Sequence, residues 1–308
     1  MRLFSKQNDG NIKIYNILGL KFSKKKKLPS ELSLERKIKK LKAIFSKKLG
    51  YELNLDNPQT FNEKINWYKL FYHNDLMTKI VDKYEFKNYI KEQLGEGYTV
   101  PLLGVWDNVD DIDFDKLPNR FVLKCNAQSS GNYIKIVKDK AELDIKALKA
   151  EMQDWLKPEN TLKTSFCWAY YNVPLKIIAE EYIDISNNSK EYKVFCFNGK
   201  ANFVLIELDY FGNAPKRAFY DRNFIETEFK MGKMPKVRLD TKPKNFDKMI
   251  EMADNLASQF PFVRVDFYDI NGKIYCGEMT FYSGGGYSYI EPLEWDKKIG
   301  DNFEIKFL

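Results

Sequence analysis

The stretch that decides the fold is the run FVRVDFYDINGKIYCGEMTF at residues 262–281. Residues 263–268 alternate between apolar and polar side chains, and successive side chains of a β-strand point to opposite faces. The run therefore predicts a strand whose polar residues, Arg264, Asp266 and Tyr268, share one face. The apolar face is suited to a core, whereas the polar face carries charge.

The turn of the hairpin that follows decides where Glu278 lies. With a three-residue loop at residues 270–272, Asp269 pairs with Lys273 and Glu278 lies opposite Arg264 on the charged face. A two-residue Asn-Gly turn puts Glu278 on the other face, because a slip of one residue in register inverts every side chain. We predict the longer loop.

The charged face has the chemistry of a metal and phosphate site. Asp266 and Glu278 suit Mg²⁺, which usually takes one or two carboxylates together with nucleotide phosphates. Arg264 beside them is placed to stabilise charge in a phosphoryl transition state. A surface ion pair is the commoner use of such residues. Thr280 continues the polar face, and the SGGG run at residues 283–286 supplies backbone that can approach a ligand, which favours a site.

Composition indicates a folded protein without a membrane span. The chain has 308 residues with 15% aromatic side chains, and no apolar run approaches the roughly 20 residues that cross a bilayer. We expect a cytoplasmic protein with reduced cysteines. His73 is the only histidine, so Ser-His-Asp and Cys-His nucleophile schemes and histidine-based zinc sites have little support.

The order of periodicities predicts an α+β architecture in which helices come first. Leu34, Ile38, Leu41 and Phe45 recur at helical spacing, and short strand patterns begin at Phe121. We divide the chain into a basic, poorly ordered leader (1–30), a helical N-terminal region (31–118), a first α+β subdomain (119–183) and a second one with the charged hairpin (184–308). Residues 209–244 are predicted to be irregular.

The net charge of +7 suggests an anionic partner. The densest basic run is Lys24, Lys25, Lys26 and Lys27. A solvated, mobile segment is the commoner interpretation of such a run, and weak association with the anionic inner face of a membrane is the alternative. We do not expect a nucleic-acid partner.

At this point the residues resemble the ATP-grasp superfamily, whose last hairpin typically has R-x-D, a turn, and E-x-N before a glycine-rich loop. Arg264-Val265-Asp266 and Glu278-Met279-Thr280 are similar to it, with threonine in place of the usual asparagine. Asp82-Lys83, with a helix and a Val-Pro step after it, resembles an earlier motif. The strand that ends in Lys124 resembles the one before the lid, here residues 128–131. The run 177–183 resembles the adenine hinge.

Four further runs resemble the TupA-like branch of this superfamily, and the resemblance covers most of the chain from about residue 50 onward. They are TFNEKINW (60–67), TKIVDKY (78–84), VPLLGVW (100–106) and FCFNGK (195–200). The branch is associated with bacterial surface polysaccharide and teichuronopeptide synthesis. The implied fold is an ATP-grasp fold, in which two α+β subdomains clasp a nucleotide between antiparallel sheets.

The resemblance implies ATP and Mg²⁺ as cofactors and assigns roles to residues of this chain. Phosphate contacts are implied for Lys83 and Lys124, and lid contacts for Ser130 and Gly131. Adenosine contacts are implied for Glu180, Glu181, Tyr182 and Ile183. A further nucleotide contact is implied for Lys193. The residues implied in magnesium binding are Asp266, Glu278 and Thr280, and Arg264 is implied in catalysis.

The function that the resemblance implies is an ATP-dependent carboxylate-amine ligase that forms an amide through an acyl phosphate. Its acceptor would be a carboxylate such as a uronic acid in a capsule or lipopolysaccharide unit, and its donor a small amine. A sugar kinase that uses the same ATP site is the alternative within that fold. A glycosyltransferase and a non-catalytic nucleotide-binding scaffold are the other functions left open by the sequence.

Overall fold

A computed structural model of the chain describes residues 4–9, 12–17, 20–25, 27–127, 133–158, 166–184, 190–209 and 214–305, the first three ranges as backbone only. These residues form helices and antiparallel sheets, so the fold is α+β as predicted. The strands are β1 Phe4–Asp9, β2 Ile12–Ile17, β3 Leu20–Lys25, β4 Leu102–Trp106, β5 Phe121–Cys125, β6 Ile134–Val137, β7 Ile177–Glu181, β8 Lys190–Phe197, β9 Lys200–Leu208, β10 Lys216–Asp221, β11 Lys230–Met231, β12 Phe262–Ile270, β13 Lys273–Thr280 and β14 Ile290–Glu291.

The N-terminal helices begin at polar caps that are visible in the sequence. Thr60 accepts a hydrogen bond from the backbone of Glu63, whose carboxylate accepts one from the backbone of Thr60, so a capping box starts the second helix. Asn74 caps the third helix in the same way through its side chain. The helices are α1 Leu34–Leu49, α2 Phe61–Phe71, α3 Asp75–Val81, α4 Glu85–Leu94 and α5 Ile145–Trp155, and two later ones span Phe246–Ala257 and Glu294–Asp301.

A five-stranded antiparallel sheet of order β10-β9-β8-β12-β13 forms the centre of the molecule. The predicted alternation along β12 is confirmed, since Val263, Val265 and Phe267 are fully buried. They belong to the main hydrophobic core, in which the helix Phe246–Ala257 packs on β8, β9 and β12. The opposite face of the sheet is consequently left for polar side chains.

A four-stranded sheet of order β4-β7-β5-β6 forms a second, smaller layer. Its own core joins Phe121 and Leu123 of β5 to Leu148 and Met152 of α5. The prediction that the region before residue 119 is helical and irregular is wrong at β4, which pairs with β7. All five residues of β4 are only half-buried and include Gly104, so the run lacks the alternation that identifies a strand.

Two further predictions about irregular segments are corrected by the structure. The segment 209–244 contains β10, which extends the central sheet beside β9, and β11, which pairs with β14. The leader predicted to be poorly ordered contains β1, β2 and β3, which pair as successive hairpins. In both cases the strands are short, and strand formation depends on a partner that local pattern does not reveal.

The register of the last hairpin differs from the prediction, but Glu278 still lies on the predicted charged face. Ile270 pairs with Lys273, so the turn has two residues, Asn271 and Gly272, with φ of 53° and 81°. The predicted pairing of Asp269 with Lys273 is therefore wrong, and so is that of Glu278 with Arg264, which pairs with Thr280 instead. A β-bulge then shifts the register, and beyond it Asp266 pairs with Glu278.

Gly277 is the extra residue of this bulge, because the pairing passes from Cys276 directly to Glu278. A Cβ at Gly277 would lie 2.6 Å from Cε2 of Tyr268. Only glycine therefore fits without displacing the tyrosine ring. The bulge inverts the side chains a second time, and this returns Glu278 to the charged face that a two-residue turn alone would deny it.

Candidate functional site

Arg264 is the centre of the charged face of the last hairpin. Its Nε and Nη2 donate to the two carboxylate oxygens of Asp266 at 2.6 Å each, and Nη2 also lies 3.1 Å from Oε1 of Glu278. Thr280 Oγ1 accepts from Nη2 at 3.2 Å and donates to Oε1 of Glu278 at 2.9 Å. Ser283 Oγ accepts from Nη1 at 3.4 Å. The predicted Arg264, Asp266, Glu278 and Thr280 are thus brought together.

The two carboxylates of this face titrate in opposite directions. Burial raises the pKa of Asp266 to about 6 against the opposing effect of Arg264, and the charge of Glu278 raises it further. Burial also acts to raise the pKa of Glu278, but Lys83 and Arg264 outweigh it and the net shift is downward. Glu278 is consequently the carboxylate of the pair that keeps its negative charge more readily.

The charged face continues across β8, β9 and β10. Lys193 pairs in register with Asp266, and its Nζ lies 2.6 Å from Oε2 of Glu191 and also contacts the carboxylate of Glu207. Arg217 Nε donates to Oε1 of Glu207 at 2.8 Å. The face therefore holds four carboxylates against three cations, counting Asp266 and Glu278 with Arg264.

Glu191 is the most strongly perturbed acid of this extension. Burial raises its pKa to about 7 against the opposing charge of Lys193, and Asp266 acts in the same direction as burial. Asp266, Glu191 and Glu207 each raise the pKa of Lys193, which outweighs the effect of burial. The face is accordingly short of positive charge, which is the electrostatic setting that a bound cation would relieve.

A second charged cluster lies in the smaller sheet, around Glu180 of β7. Lys124 at the end of β5 contacts Oε2 of Glu180 at 2.5 Å, and Lys87 of α4 contacts Oε1 at 2.6 Å. Glu180 is only 6% exposed, and burial alone would raise its pKa, yet the two lysines lower it to about 2. Lys87 also donates to the carbonyl of Val100 at 2.6 Å.

Lys83 lies between the two clusters. Its backbone N–H donates to the carbonyl of Asn126, the residue after β5, at 3.0 Å. Burial lowers the pKa of its ammonium, which the charge of Glu278 opposes and that of Lys124 reinforces. The predicted lysines Lys83 and Lys124 are thus brought together, and Lys83 connects them electrostatically with the hairpin.

Of the predicted hinge residues, Glu180 contributes its carboxylate to the Lys124 cluster, whereas the other three adjoin the cluster without contributing their side chains to it. Glu181 is exposed, and its backbone N–H donates to the carbonyl of Pro101 at 3.0 Å. Tyr182 and Ile183 are half-buried, and the guanidinium of Arg120 lies 4.3 Å from the centre of the Tyr182 ring. The predicted lid residues Ser130 and Gly131 lie outside the described residues.

The glycine-rich loop 283–286 is held from behind by α2. Gly284, Gly285 and Gly286 all have positive φ, and a Cβ at Gly286 would lie 2.5 Å from Nδ2 of Asn66. Asn66 donates to the carbonyl of Gly286 at 2.8 Å, and the ammonium of Lys69 donates to that of Gly285. Lys69 is 4% exposed, and burial lowers its pKa to about 8.

Asn62 of α2 also joins this helix to Ser288 and Asp296. Its side chain exchanges two hydrogen bonds with the backbone of Ser288 and donates to Asp296 at 2.8 Å. These contacts give the TFNEKINW run a role in shaping the loop beside Arg264. The sequence pattern identifies the run but not its contacts, because α2 and the loop are more than 200 residues apart.

The oxygen ligands on the hairpin fit Mg²⁺ with help from a ligand's own oxygens. Asp266 and Glu278 face each other across β12 and β13 with the hydroxyl of Thr280 beside them. Two carboxylates are what magnesium takes when phosphates complete its shell. Within the described ranges, no group of three or more His, Cys, Asp and Glu residues forms a complete protein site.

Four residues of the site do not stand out in the sequence. They are Lys87, Glu191, Glu207 and Arg217. Two of them carried a signal, since Lys87 lies four residues after Lys83 and Glu191 lies two residues before Lys193 on the same strand face. Arg217 belongs to a strand that was not predicted, so no local pattern pointed to it.

The sequence matches the family model described as "TupA-like ATPgrasp" over residues 63–304. The chain is similar to the solved L-amino acid ligase from Bacillus licheniformis, with 13% identity, a TM-score of 0.45 and coverage of 84% of this chain and 57% of that one. It is also similar to D-alanine--D-alanine ligase from Helicobacter pylori, with 16% identity, a TM-score of 0.44 and coverage of 73% of this chain and 61% of that one. For the same ligase from Bacillus anthracis the identity is 21%, the TM-score is 0.37, and the coverage is 66% of this chain and 57% of that one. The chain thus spans about three fifths of the length of these structures. No curated protein matches it.

Proposed function

Because this chain belongs to the TupA-like ATP-grasp family, we propose that it is an ATP-dependent ligase that joins a carboxylate to an amine. The observation that carries the proposal is the pairing of two unequal charge clusters. Lys87 and Lys124 both contact the single carboxylate Glu180, with which Lys83 also interacts electrostatically, whereas Arg264 lies among carboxylates on the hairpin. An excess of cations suits phosphates, and an excess of carboxylates suits a divalent cation.

The proposed reaction has two steps. An oxygen of the acceptor carboxylate attacks the γ-phosphorus of ATP, the bond to the β-phosphate oxygen breaks, and ADP leaves. The nitrogen of the amine then attacks the acyl carbon, the carbon–oxygen bond to the phosphoryl group breaks, and phosphate leaves as the nitrogen loses a proton. Positioning and electrostatic stabilisation are what a protein contributes to such phosphoryl transfer.

The contacts of the two clusters support the roles we assign to Lys124 and Arg264, and the family resemblance supports those of the lid and hinge residues. Lys83 and Lys124 hold phosphates, and Glu180 keeps Lys124 oriented through the contact of 2.5 Å. Arg264 stabilises the charge that develops on the transferred phosphoryl group. The remaining nucleotide contacts are assigned to Ser130 and Gly131 of the lid, to the hinge residues Glu181, Tyr182 and Ile183, and to Lys193.

Asp266, Glu278 and Thr280 are the residues that would hold magnesium. Bound there, the ion neutralises phosphate charge, which is the usual contribution of magnesium in phosphoryl transfer. Arg264 already engages both oxygens of Asp266 and one oxygen of Glu278. The guanidinium therefore fixes the orientation of the two carboxylates that the metal would share.

We propose a bacterial surface polysaccharide, or its precursor in capsule or lipopolysaccharide synthesis, as the carboxylate acceptor, on the strength of the family association. No helix in the described part of the chain is long and apolar enough to cross a membrane. We place the protein in the cytoplasm, with weak attachment to the inner membrane face through the basic run 24–27. Of that run, the side chain of Lys27 is described, and it is exposed.

A phosphate-release screen of uronic acids paired with amines tests the proposal. The wild-type protein should release phosphate with at least one pair, and Asp266→Asn and Glu278→Gln should each reduce that rate about a hundredfold or more. Amide formation distinguishes a ligase from a sugar kinase, in which the phosphate stays on the sugar. Absence of ATP turnover and of any nucleotide-induced thermal shift across the panel would refute the proposal.

A further inference from the structure

The positive charge of the chain is concentrated in one segment. Residues 21–48 hold twelve of the 50 Lys and Arg residues but only two of the 43 Asp and Glu residues, Glu31 and Glu35. The remainder of the chain therefore carries a slight net negative charge, although the whole has a net charge of +7. An anionic partner that is attracted by the positive charge of this protein will therefore be attracted to this segment.

Helix α1 presents most of that charge on a fixed surface. Its apolar side is buried, with Leu41 and Phe45 inaccessible to solvent in a cluster that includes Trp67. Its outer side consists of exposed basic residues along about 24 Å of helix. They are Arg36, Lys39, Lys40, Lys42, Lys47 and Lys48.

Among the described residues, the basic side chains of α1 have no carboxylate partner, since none of its Lys and Arg side chains forms an ion pair. Lys37 and Lys48 instead lie over the rings of Tyr171 and Tyr287 at 5.4 and 4.4 Å. Other exposed lysines do form ion pairs, such as Lys116 with Asp113 and Lys297 with Asp301. Within the described part of the chain, the outer side of α1 is thus a basic surface without neutralising carboxylates.

We propose that the outer side of α1 docks the protein electrostatically onto an anionic lipid bilayer. The side chains suit that partner, because lysine predominates and the exposed stretch 35–48 offers no aromatic side chain on which nucleic-acid bases could stack. Since the apolar side of α1 is already buried in the protein, the helix does not insert. Binding is therefore sensitive to salt.

Docking also has a consequence for the orientation of the candidate site. The last turn of α1 contacts Tyr287 through Lys48, and Tyr287 directly follows the glycine-rich loop beside Arg264. A protein bound through α1 holds that side of the site toward the bilayer surface. The inference concerns only the charge and exposure of α1 and does not rest on the proposed ligase chemistry.

Vesicle flotation with the full chain tests this inference. One set of vesicles is pure phosphatidylcholine, and the other contains one third phosphatidylglycerol. We expect wild-type protein to bind only the anionic vesicles and to dissociate at high salt. A variant with Arg36→Gln, Lys39→Gln, Lys40→Gln, Lys42→Gln and Lys47→Gln should bind at least about a hundredfold more weakly, because each basic residue near an anionic surface strengthens binding roughly fivefold.

A matched variant controls for net charge. Lys116→Gln, Lys157→Gln, Lys200→Gln, Lys248→Gln and Lys297→Gln remove the same charge from exposed sites elsewhere, with side-chain exposures between 53% and 83%. This variant should bind vesicles within a few-fold of wild type. Equal losses in the two variants, no loss in the α1 variant, or binding of wild type to polygalacturonate but not to anionic vesicles would each overturn the proposal. Thermal melting confirms that both variants are folded.

Discussion

The two charged clusters of this protein use similar side chains and have opposite electrostatics. Around Glu180, Lys87 and Lys124 outnumber the carboxylate and lower its pKa to about 2. Around Arg264, burial and neighbouring acids prevail, and the pKa of Asp266 is raised to about 6. The difference lies in stoichiometry rather than in burial, because Glu180 and Asp266 are 6% and 1% exposed. The charge of the cluster around Glu180 therefore suits an anion, and that of the cluster around Arg264 suits a cation.

Lys83 links the two charged clusters into a single candidate site. Its ammonium interacts electrostatically with Glu278 on the hairpin and with Lys124 and Glu180 in the smaller sheet. A nucleotide whose phosphates contact Lys83 and Lys124 would therefore bring its metal within reach of Asp266 and Glu278. Substitutions in each cluster should consequently impair different steps, as the following predictions specify.

The largest effect is expected at Arg264. Arg264→Gln should lower the rate of phosphate release by about a thousandfold or more, since an arginine that stabilises the phosphoryl transition state contributes that much. ATP binding, measured by calorimetry, should change far less. Arg222→Gln is the control, because Arg222, in the turn after β10, also forms an ion pair, with Asp254 at 3.1 Å.

Loss of Arg264 leaves the buried carboxylate of Asp266 without its bidentate partner, so stability must be separated from catalysis. The double variant Arg264→Gln with Asp266→Asn removes both charges and should recover thermal stability without recovering turnover. Full activity in Arg264→Gln would show that the guanidinium has a structural role only.

A smaller effect on binding is expected in the lysine cluster. Lys124→Met should weaken ATP binding about a hundredfold, because it removes a charge-assisted contact to phosphate and frees Glu180 to oppose the anion. Lys87→Met should weaken it less, since that ammonium also bonds to the carbonyl of Val100. Lys176→Met, at a side-chain exposure of 23% compared with 25% for Lys124, is the matched control. Equal affinities for the three variants would remove the distinction between the clusters.

Gly277 offers a test of how the hairpin is built. Gly277→Ala should destabilise the protein by about 2 kcal/mol, because the added Cβ lies 2.6 Å from the Tyr268 ring and overpacking of this kind typically costs that much. Metal-dependent nucleotide binding should weaken in parallel as Glu278 moves. In a double-mutant cycle measured by urea unfolding, Tyr268→Ala should relieve part of the cost. Independent effects of the two substitutions would exclude the contact as the reason for glycine.

The bulge also shows where prediction from sequence reached its limit. The strand β12, the start of β5 at Phe121 and the helix that begins at Leu34 were predicted correctly, because strand alternation and helical spacing are local properties. The turn at Asn271 was assigned the wrong length, yet Glu278 was placed on the correct face. The two errors cancel because the bulge at Gly277, which the alternation pattern does not reveal, shifts the register a second time.

The candidate site was predictable to the extent that its residues lie in motifs. Arg264, Asp266, Glu278 and Thr280 were found from one hairpin and are in contact. Lys87 and Glu207, which contact Glu180 and Lys193, were not found, because folding rather than sequence proximity brings them to the site. Strand β10, which supplies Arg217, was itself unforeseen.

The smallest expected effect is a pH dependence of stability at Glu180. Because its folded-state pKa of about 2 is below the ordinary value of 4.5, its ion pairs stabilise the protein above pH 4.5 and are lost as pH falls toward 2. The difference in unfolding free energy between wild type and Glu180→Gln should therefore shrink by on the order of 1 kcal/mol between about pH 5 and about pH 3. Urea unfolding at each pH measures it. In a background with Lys87→Met and Lys124→Met the sign of this pH dependence should reverse, because those two lysines lower the pKa of Glu180 and burial alone raises it. A difference that still shrinks as pH falls in that background would mean that the excess of cations is not what distinguishes this cluster from the one around Asp266.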